Sequence, residues 1–394
     1  MSSRFESNDM HRALVESVRA WSHSVLAQGA SERDAQARFD PCIYRRMDTD
    51  LGLMGIALPD SLGGLGLGIG VTILAIEAMS EVDPGMAMSY LAQEVLFSYQ
   101  LYETWASEGA EMPQRHADTL RRRPVTGLAM TEPDAGTDIL AMRTTAVPCE
   151  GGFVLNGTKQ WITNAPVGEA FLVYARTGEG RRDISLFLVE YPCAGLERGE
   201  AEPKMGMRSS PTGMLCFRDC FVPEDALAGR LHGGVSSMLR NLSSMLRNLA
   251  IERVALAAQS CGIAKACLDI MCDYASSRRA FGRPIAEFGQ IQRYLGEGFA
   301  KWRAGRRFLY ATLEDILDGH CRASLDADAV KLFCTTAAEE ISRCAIQVLG
   351  ANGYSCGYAV ERLHRDAILL SIGGGTNEAL QKNISRLLTH RRAQ

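Results

Sequence analysis

Between residues 236 and 279 the chain carries no proline and a single glycine, Gly262. Between 290 and 349 it again carries no proline and few glycines. Proline and glycine are the residues a helix interior tolerates least. Two such stretches predict paired long helices, the raw material of a bundle. The chain before them reads differently. In residues 1–50, Leu14, Val15, Val18, Trp21, Val25 and Leu26 recur at helical spacing. Residues 51–70, LGLMGIALPDSLGGLGLGIG, form a loop with apolar anchors, because their glycines and Pro59 break any helix. Helical periodicity returns from Val71 to roughly Glu108, interrupted at Pro84-Gly85.

From about Arg123 to Pro223 the texture becomes that of strands. Phe153-Val154-Leu155 precedes Asn156-Gly157, a hairpin-turn dipeptide. Phe171 to Ala175, Ile184 to Val189 and Met214 to Phe217 are short apolar runs bounded by turn-rich segments. The order is therefore helical, then β, then helical. A chain of 394 residues exceeds the size at which one core stops growing, so two or three domains are expected. We divide it into a helical segment 1–124, a β-barrel or sandwich 125–228 and a helical bundle 229–394. One heptad, SSMLRNL, is written twice, at 236–242 and 243–249. Seven residues are nearly two helical turns, so the insertion rotates the helix face by only about 20°.

Composition removes several classes of function. A net charge of −4 gives no broad attraction to nucleic acid or anionic membrane. The basic run Arg121-Arg122-Arg123 reads as solvated surface. No stretch reaches the roughly 20 apolar residues of a membrane span, and the first residues lack the apolar core of a secretory signal, so a cytoplasmic location is expected. Twelve cysteines are scattered without metal-ligand spacing. They read as small buried hydrophobes, and no metal is expected.

Two segments carry polar groups in loop settings. In Met130-Thr-Glu-Pro-Asp-Ala-Gly-Thr-Asp138, Pro133 and Gly136 force a turn, and Thr131, Glu132, Asp134, Thr137 and Asp138 supply donors and acceptors. In Asn156-Gly-Thr-Lys-Gln-Trp-Ile-Thr-Asn164, Trp161 and Thr163 are two apart and so share a strand face. An aromatic beside a hydroxyl suits a flat heteroaromatic ligand. A plain surface turn and a core tryptophan are the alternatives.

Six motifs occur in order: TEPDAGTD, NGTKQWITNA, MGMRSSPT, RRAFGRPI, AIQVLGANGY and SIGGGTNE. The set resembles the acyl-CoA dehydrogenase family over about residues 10–390. That resemblance implies a helical N-terminal domain, a β middle domain and a C-terminal four-helix bundle. It also implies FAD as cofactor, a homotetramer, and desaturation of an acyl thioester between its α and β carbons. By position, it implies that Met130, Thr131 and Thr137 contact the flavin and that Trp161 and Thr163 flank its ring. Arg278 and Phe281 match residues that reach the diphosphate and adenosine end from a neighbouring subunit. Gln347, Gly350 and Gly353 match a further dinucleotide contact, and Thr376 and Glu378 the last. Two positions depart from the family pattern: Gly289 stands where a glutamine is usual, and Ala351 where a second glycine is usual.

The reaction needs a base for a weakly acidic α-proton, and a desolvated carboxylate is the common solution. Much of the family places that Glu where this chain has Gly374. Isovaleryl- and long-chain-type members instead carry it on a bundle helix, followed by Arg. Here Glu252-Arg253 lies in the apolar run LAIERVAL. The resemblance implies Glu252 as base, Arg253, Thr137 and Gly374 at the substrate, and a backbone N–H two beyond Gly374, at Thr376, on the thioester carbonyl. An ion pair or exposed face is the alternative for Glu252. A displacement of its helix by the repeated heptad would remove it from the substrate. The substrate is expected to be an acyl-CoA or an acyl- or aminoacyl-carrier-protein thioester. The resemblance implies that the electrons go to an electron-transfer flavoprotein or another acceptor. A non-catalytic flavoprotein of the same fold is the reading from another class.

Overall fold

A computed structural model of the chain describes residue 5 and residues 8–234, 244–320 and 323–390. Helices α1 (Asp9–Trp21), α2 (Ala30–Ala35), α3 (Pro41–Leu51), α4 (Ile69–Ser80), α5 (Pro84–Gln93), α6 (Gln100–Ala106) and α7 (Gln114–Arg122) build the first part. Their starts follow local chemistry. Asn8 caps α1 by accepting the amides of Met10 and His11, and Asp40 caps α3, which has proline in its first turn. The interruption at Pro84-Gly85 is the beginning of α5, capped by Asp83. The glycine-rich stretch before α4 anchors itself through buried Leu53, Met54, Ile56 and Leu58.

Strands β1 (Thr126–Ala129), β2 (Thr145–Cys149), β3 (Gly152–Thr163), β4 (Ala170–Arg176), β5 (Ile184–Glu190), β6 (Leu196–Arg198), β7 (Thr212–Pro223) and β8 (Leu227–Ala228) form one sheet in the order β6-β7-β3-β2-β4-β5-β8, with β1 parallel to β4. The alternation along β4 serves two cores. Phe171, Val173 and Ala175 pack with Phe187 and Val189 inside the β domain, while Leu172 and Tyr174 face Leu58, Phe97 and Leu101 of the helical part.

Asn156-Gly157 is not a hairpin turn. The turn between β2 and β3 lies at Glu150-Gly151, and Asn156-Gly157 sits inside β3, opposite a bulge in β7 at Asp219. The Asn156 side chain accepts the Asp219 amide at 2.8 Å and donates to its carboxylate at 3.1 Å. Gly157 is needed because a Cβ there would meet Thr144 Oγ1 at 2.5 Å.

The C-terminal part contains α8 (Ser244–Ser277), a short hairpin of β9 (Arg279–Ala280) and β10 (Arg283–Pro284), α9 (Gly289–Leu317), α10 (Ala323–Leu349), α11 (Ala351–Tyr354), α12 (Val360–Leu370) and α13 (Asn377–His390). Gly319, at φ +72°, ends the helix that runs into it and splits the second proline-free stretch in two. Within α8, Leu249–Ser277 is apolar and long enough by composition to cross a membrane. In the fold it is a core helix, buried over most of its length because α4, α9 and α10 pack around it, with Lys265, Asp269 and Asp273 on the face left to solvent. Gly262 allows the crossing of α8 over α4, where any Cβ would run into the Glu77 carbonyl and come within 2.8 Å of Ser80. The first copy of the repeated heptad, 236–242, lies outside the described residues. The second enters α8 at Ser244.

Two surface readings change. Arg123 is not simply solvated: it pairs with Asp48 at 2.8 Å and donates to the Gly63 carbonyl, joining α7 to the loop before α4. Cys220, Cys261, Cys267 and Cys334 are buried, but Cys42, Cys149, Cys272 and Cys356 are exposed.

Candidate active site

The first candidate segment follows β1 and lies against β3. Alternation through Phe153 and Leu155 brings Lys159 inward, where it is fully buried. Its ammonium pairs with Glu132 at 2.8 Å and donates to the Met130 carbonyl at 3.0 Å. Glu132 also accepts the Arg143 amide at 2.5 Å and the Thr144 amide at 2.9 Å. Burial pulls the Lys159 ammonium down to about 8 against the pull of Glu132. Burial raises the Glu132 carboxyl, but Lys159 and these hydrogen bonds outweigh it and hold it below its ordinary range. Glu132, one of the polar groups read from the loop, is therefore committed to the interior. Asp134 and Asp138 reach Arg143 and Arg181 at the surface.

One residue further, β3 bulges: Lys159 is opposite Leu215, but Ile162 is opposite Gly213. The extra residue reverses the alternation, so Trp161 turns outward and Ile162 inward. Trp161 has φ +60°, rare for a bulky side chain, and is 55% exposed. Thr163 flanks the buried Ile162 on the same outward side. The Gln160 amide donates to the Thr131 carbonyl at 2.9 Å, which joins the loop to the bulge. Among the described residues nothing accepts from the Thr131 amide. An outward tryptophan, a free amide and the exposed hydroxyl of Thr137 fit a flat heteroaromatic ring with polar edges. Met130 is half-buried at the root of this loop.

The second group surrounds Glu252. It lies in the first third of α8, beside the turn that links α12 to α13. A Cβ built on Gly374 would stand 3.5 Å from Glu252 Oε1 and 2.5 Å from Leu256 Cδ1. The carboxylate of Glu252 thus reaches the space in front of position 374, and the repeated heptad does not remove it from that turn. Burial pushes the Glu252 carboxyl above its ordinary range, with Arg253 and Lys331 pulling the other way. Arg253 is engaged by Asp328 and donates to the Gly374 carbonyl at 3.4 Å. Lys331 of α10 donates to the Gly375 carbonyl at 2.8 Å. The amides of Gly374, Gly375 and Thr376 find no acceptor among the described residues. The Thr376 hydroxyl caps α13 by accepting the Ala379 amide at 3.3 Å, and Glu378 is exposed in its first turn.

The third group lies at the end of the bundle where α8 stops. Arg278 and Phe281 stand on the β9–β10 hairpin, and Phe281 is 95% exposed at φ +50°. Asn352 donates to the Tyr274 hydroxyl at 2.9 Å, which ties the corner carrying Gln347, Gly350 and Gly353 to the same end. Gly353 is required there, since a Cβ would meet the Ile346 carbonyl at 2.5 Å. Ala351 has an ordinary helical backbone, the left-handed step being taken by Gly350, so its methyl group is tolerated. Gly289 opens α9 with free space around it.

Sequence reasoning missed Lys159, Asp328 and Lys331. The signal for Lys159 was present: a lysine at the inward phase of an alternating strand. Asp328 meets Arg253, and Lys331 comes near Glu252, only through the packing of α8 on α10.

Comparison with known proteins agrees with this geometry. Residues 8–111, 127–220 and 242–389 match the N-terminal, middle and C-terminal domains of acyl-CoA dehydrogenase. The mitochondrial isovaleryl-CoA dehydrogenase of Oryza sativa subsp. japonica is 34% identical over 97% of this chain and 91% of its own. The structure of butyryl-CoA dehydrogenase from Megasphaera elsdenii superposes with a TM-score of 0.89 at 27% identity, covering 97% of this chain and 98% of that one. An FAD complex of PigA gives 0.88 at 28% identity, with 98% of each chain covered. With three domains matched in order, and a helix-borne glutamate set against the glycine turn, the chain belongs to the acyl-CoA dehydrogenase family.

Proposed function

We propose that this chain is an FAD-dependent dehydrogenase of acyl-CoA thioesters in which Glu252 removes the α-proton. The observation that carries the reading is the half-buried Glu252 carboxylate facing the Gly374 turn, whose three amides find no acceptor among the described residues. Those amides can stabilise the oxygen of a thioester as its α-carbon loses a proton. The raised pKa of Glu252 matches it to that task. FAD, when bound, supplies the acceptor for the hydride that leaves the β-carbon. Met130, Thr131, Thr137, Trp161 and Thr163 would hold its ring, and Thr376 and Glu378 would border it. Arg278, Phe281, Gln347, Gly350 and Gly353 would serve its diphosphate and adenosine end in a neighbouring subunit of a homotetramer. The exposure of Phe281 (95%) and Tyr354 (86%) on a single chain supports a second copy over this end of the bundle. Arg253 braces the turn in this reading, and reaches substrate only by releasing Asp328. An electron-transfer flavoprotein is the proposed acceptor of the electrons.

The test is anaerobic. Purified protein should carry one FAD per chain, and an acyl-CoA should bleach its visible flavin band. Glu252→Gln should keep the colour and lose about 10²–10⁴-fold in rate. A fully active Glu252→Gln protein would end the assignment. A panel of acyl-CoAs run beside acyl-carrier proteins separates the two thioester classes, and light scattering gives the number of 43.0-kDa chains per particle.

A further inference from the structure

We infer that Lys331 is a positioning residue of this site: it clamps the turn that presents the Thr376 amide, and its charge favours the ionised form of the base. The inference rests on the reading of Glu252 as that base.

Lys331 is fully buried on α10. Among the described residues no carboxylate lies within ion-pair distance of its ammonium. Its partners are the Gly375 carbonyl at 2.8 Å and Asn377 Oδ1 at 3.2 Å. Asn377 is itself fixed by Thr335, whose hydroxyl accepts from its amide at 3.0 Å. Burying an ammonium without a counter-ion is costly, and a neutral donor could hold a carbonyl equally well. The charge therefore calls for a reason beyond the clamp.

The peptide plane supplies one part. In a trans peptide the C=O and the following N–H point in opposite directions. By fixing the Gly375 oxygen, Lys331 sends the Thr376 N–H away from α10, and that amide is one of the three without an acceptor. A cation on the oxygen also polarises the N–H and makes it a stronger donor.

Electrostatics supplies the other part. The charged groups acting on Glu252 are Arg253 and Lys331, with the Tyr174 hydroxyl nearby. Arg253 is compensated by Asp328. Lys331 itself faces Arg253, Glu252, Glu378, Asp328 and, across α10, Glu339. Burial first, then Arg253, pulls its ammonium down to about 8, so it remains a cation at neutral pH. It is the cation near Glu252 that has no direct counter-ion among the described residues.

Two variants separate clamp from charge. Lys331→Met removes both, and Lys331→Gln keeps a donor without the charge. The acid limb of kcat/KM reports the base in the free enzyme. In both variants it should move up by about one pH unit, the shift an opposite charge at short range produces. Only Lys331→Met should also lose several-fold in kcat. An infrared titration of the Glu252 carboxyl, taken as wild type minus Glu252→Gln, should move by the same amount without turnover. If Lys331→Met does not fold, Lys331→Gln and the infrared band still decide. An acid limb and a carboxyl band unmoved in Lys331→Gln would overturn the inference. A fully active Glu252→Gln protein would instead overturn the base on which it rests.

Discussion

Gly374 is the residue on which the geometry of the proposed base depends. Its φ of +63° lies where L-residues are strained, and Leu256 fills the space a side chain would need. Gly374→Ala should cost about 1–3 kcal/mol, and Leu256→Ala in the same protein should cost less than the two single changes added together. Urea unfolding of the three proteins measures that coupling. Lys159 poses the opposite case, a charge that needs its partner. Lys159→Met leaves the Glu132 carboxylate buried and unpaired, a loss of about 3–5 kcal/mol. Glu132→Gln with Lys159→Met should recover much of it, again by urea unfolding. These residues differ in how far sequence alone reveals them. Glu252 stands out as a carboxylate inside LAIERVAL, and its arginine neighbour marks the motif. Lys331 gives no such sign, because a lysine on a helix is ordinarily solvated and only the packing of α10 against the Gly374 turn buries it.

At the level of elements, β3 decides what the residues proposed to hold the flavin can do. An unbroken strand would carry Trp161 inward with Phe153, Leu155 and Lys159. The bulge after Lys159 turns it out and holds it at a backbone angle that costs about 1–3 kcal/mol. Trp161→Asn, whose residue type tolerates that angle, should raise the stability of the FAD-free protein by about 1 kcal/mol. The same change should weaken FAD binding, measured by equilibrium titration. Neither bulge in this pair of strands is legible in the sequence. Alternation identifies a strand but not the one-residue slip that reverses it, and Asn156-Gly157 carries a turn signal that the pairing with β7 overrides. The long helices were legible because absence of proline is a local property. Their division at Gly319 was not located, since a glycine can be carried inside a helix or end it.

At the scale of the whole molecule, Asp83 joins the parts. It caps α5, pairs with buried Arg33 at 2.9 Å and accepts the Ser209 hydroxyl at 2.7 Å from the loop before β7. Asp83→Asn should cost about 3–5 kcal/mol, because Arg33 keeps its charge without a counter-ion; thermal unfolding reads it. Stability should also depend on pH through Glu94, a buried carboxyl that accepts the Gly55 amide at 2.7 Å. Burial pushes it up to about 7 from an ordinary 4.5. The folded state therefore holds a proton that the unfolded state releases between about pH 4.5 and 7, so this group's contribution falls as pH rises through that window and is flat above it. Glu94→Gln should match wild type near pH 4.5 and be more stable by a few kcal/mol above pH 7. The three-domain order was visible in texture and motif, whereas these junctions join residues far apart in the chain and had no local signature. One last consequence belongs to α8. Sliding it by a single turn would move Glu252 about 5.4 Å, and the tight crossing at Gly262 resists any such travel. A change of chain length ahead of residue 249 would then leave the proposed base at the distance from its substrate that this crossing sets.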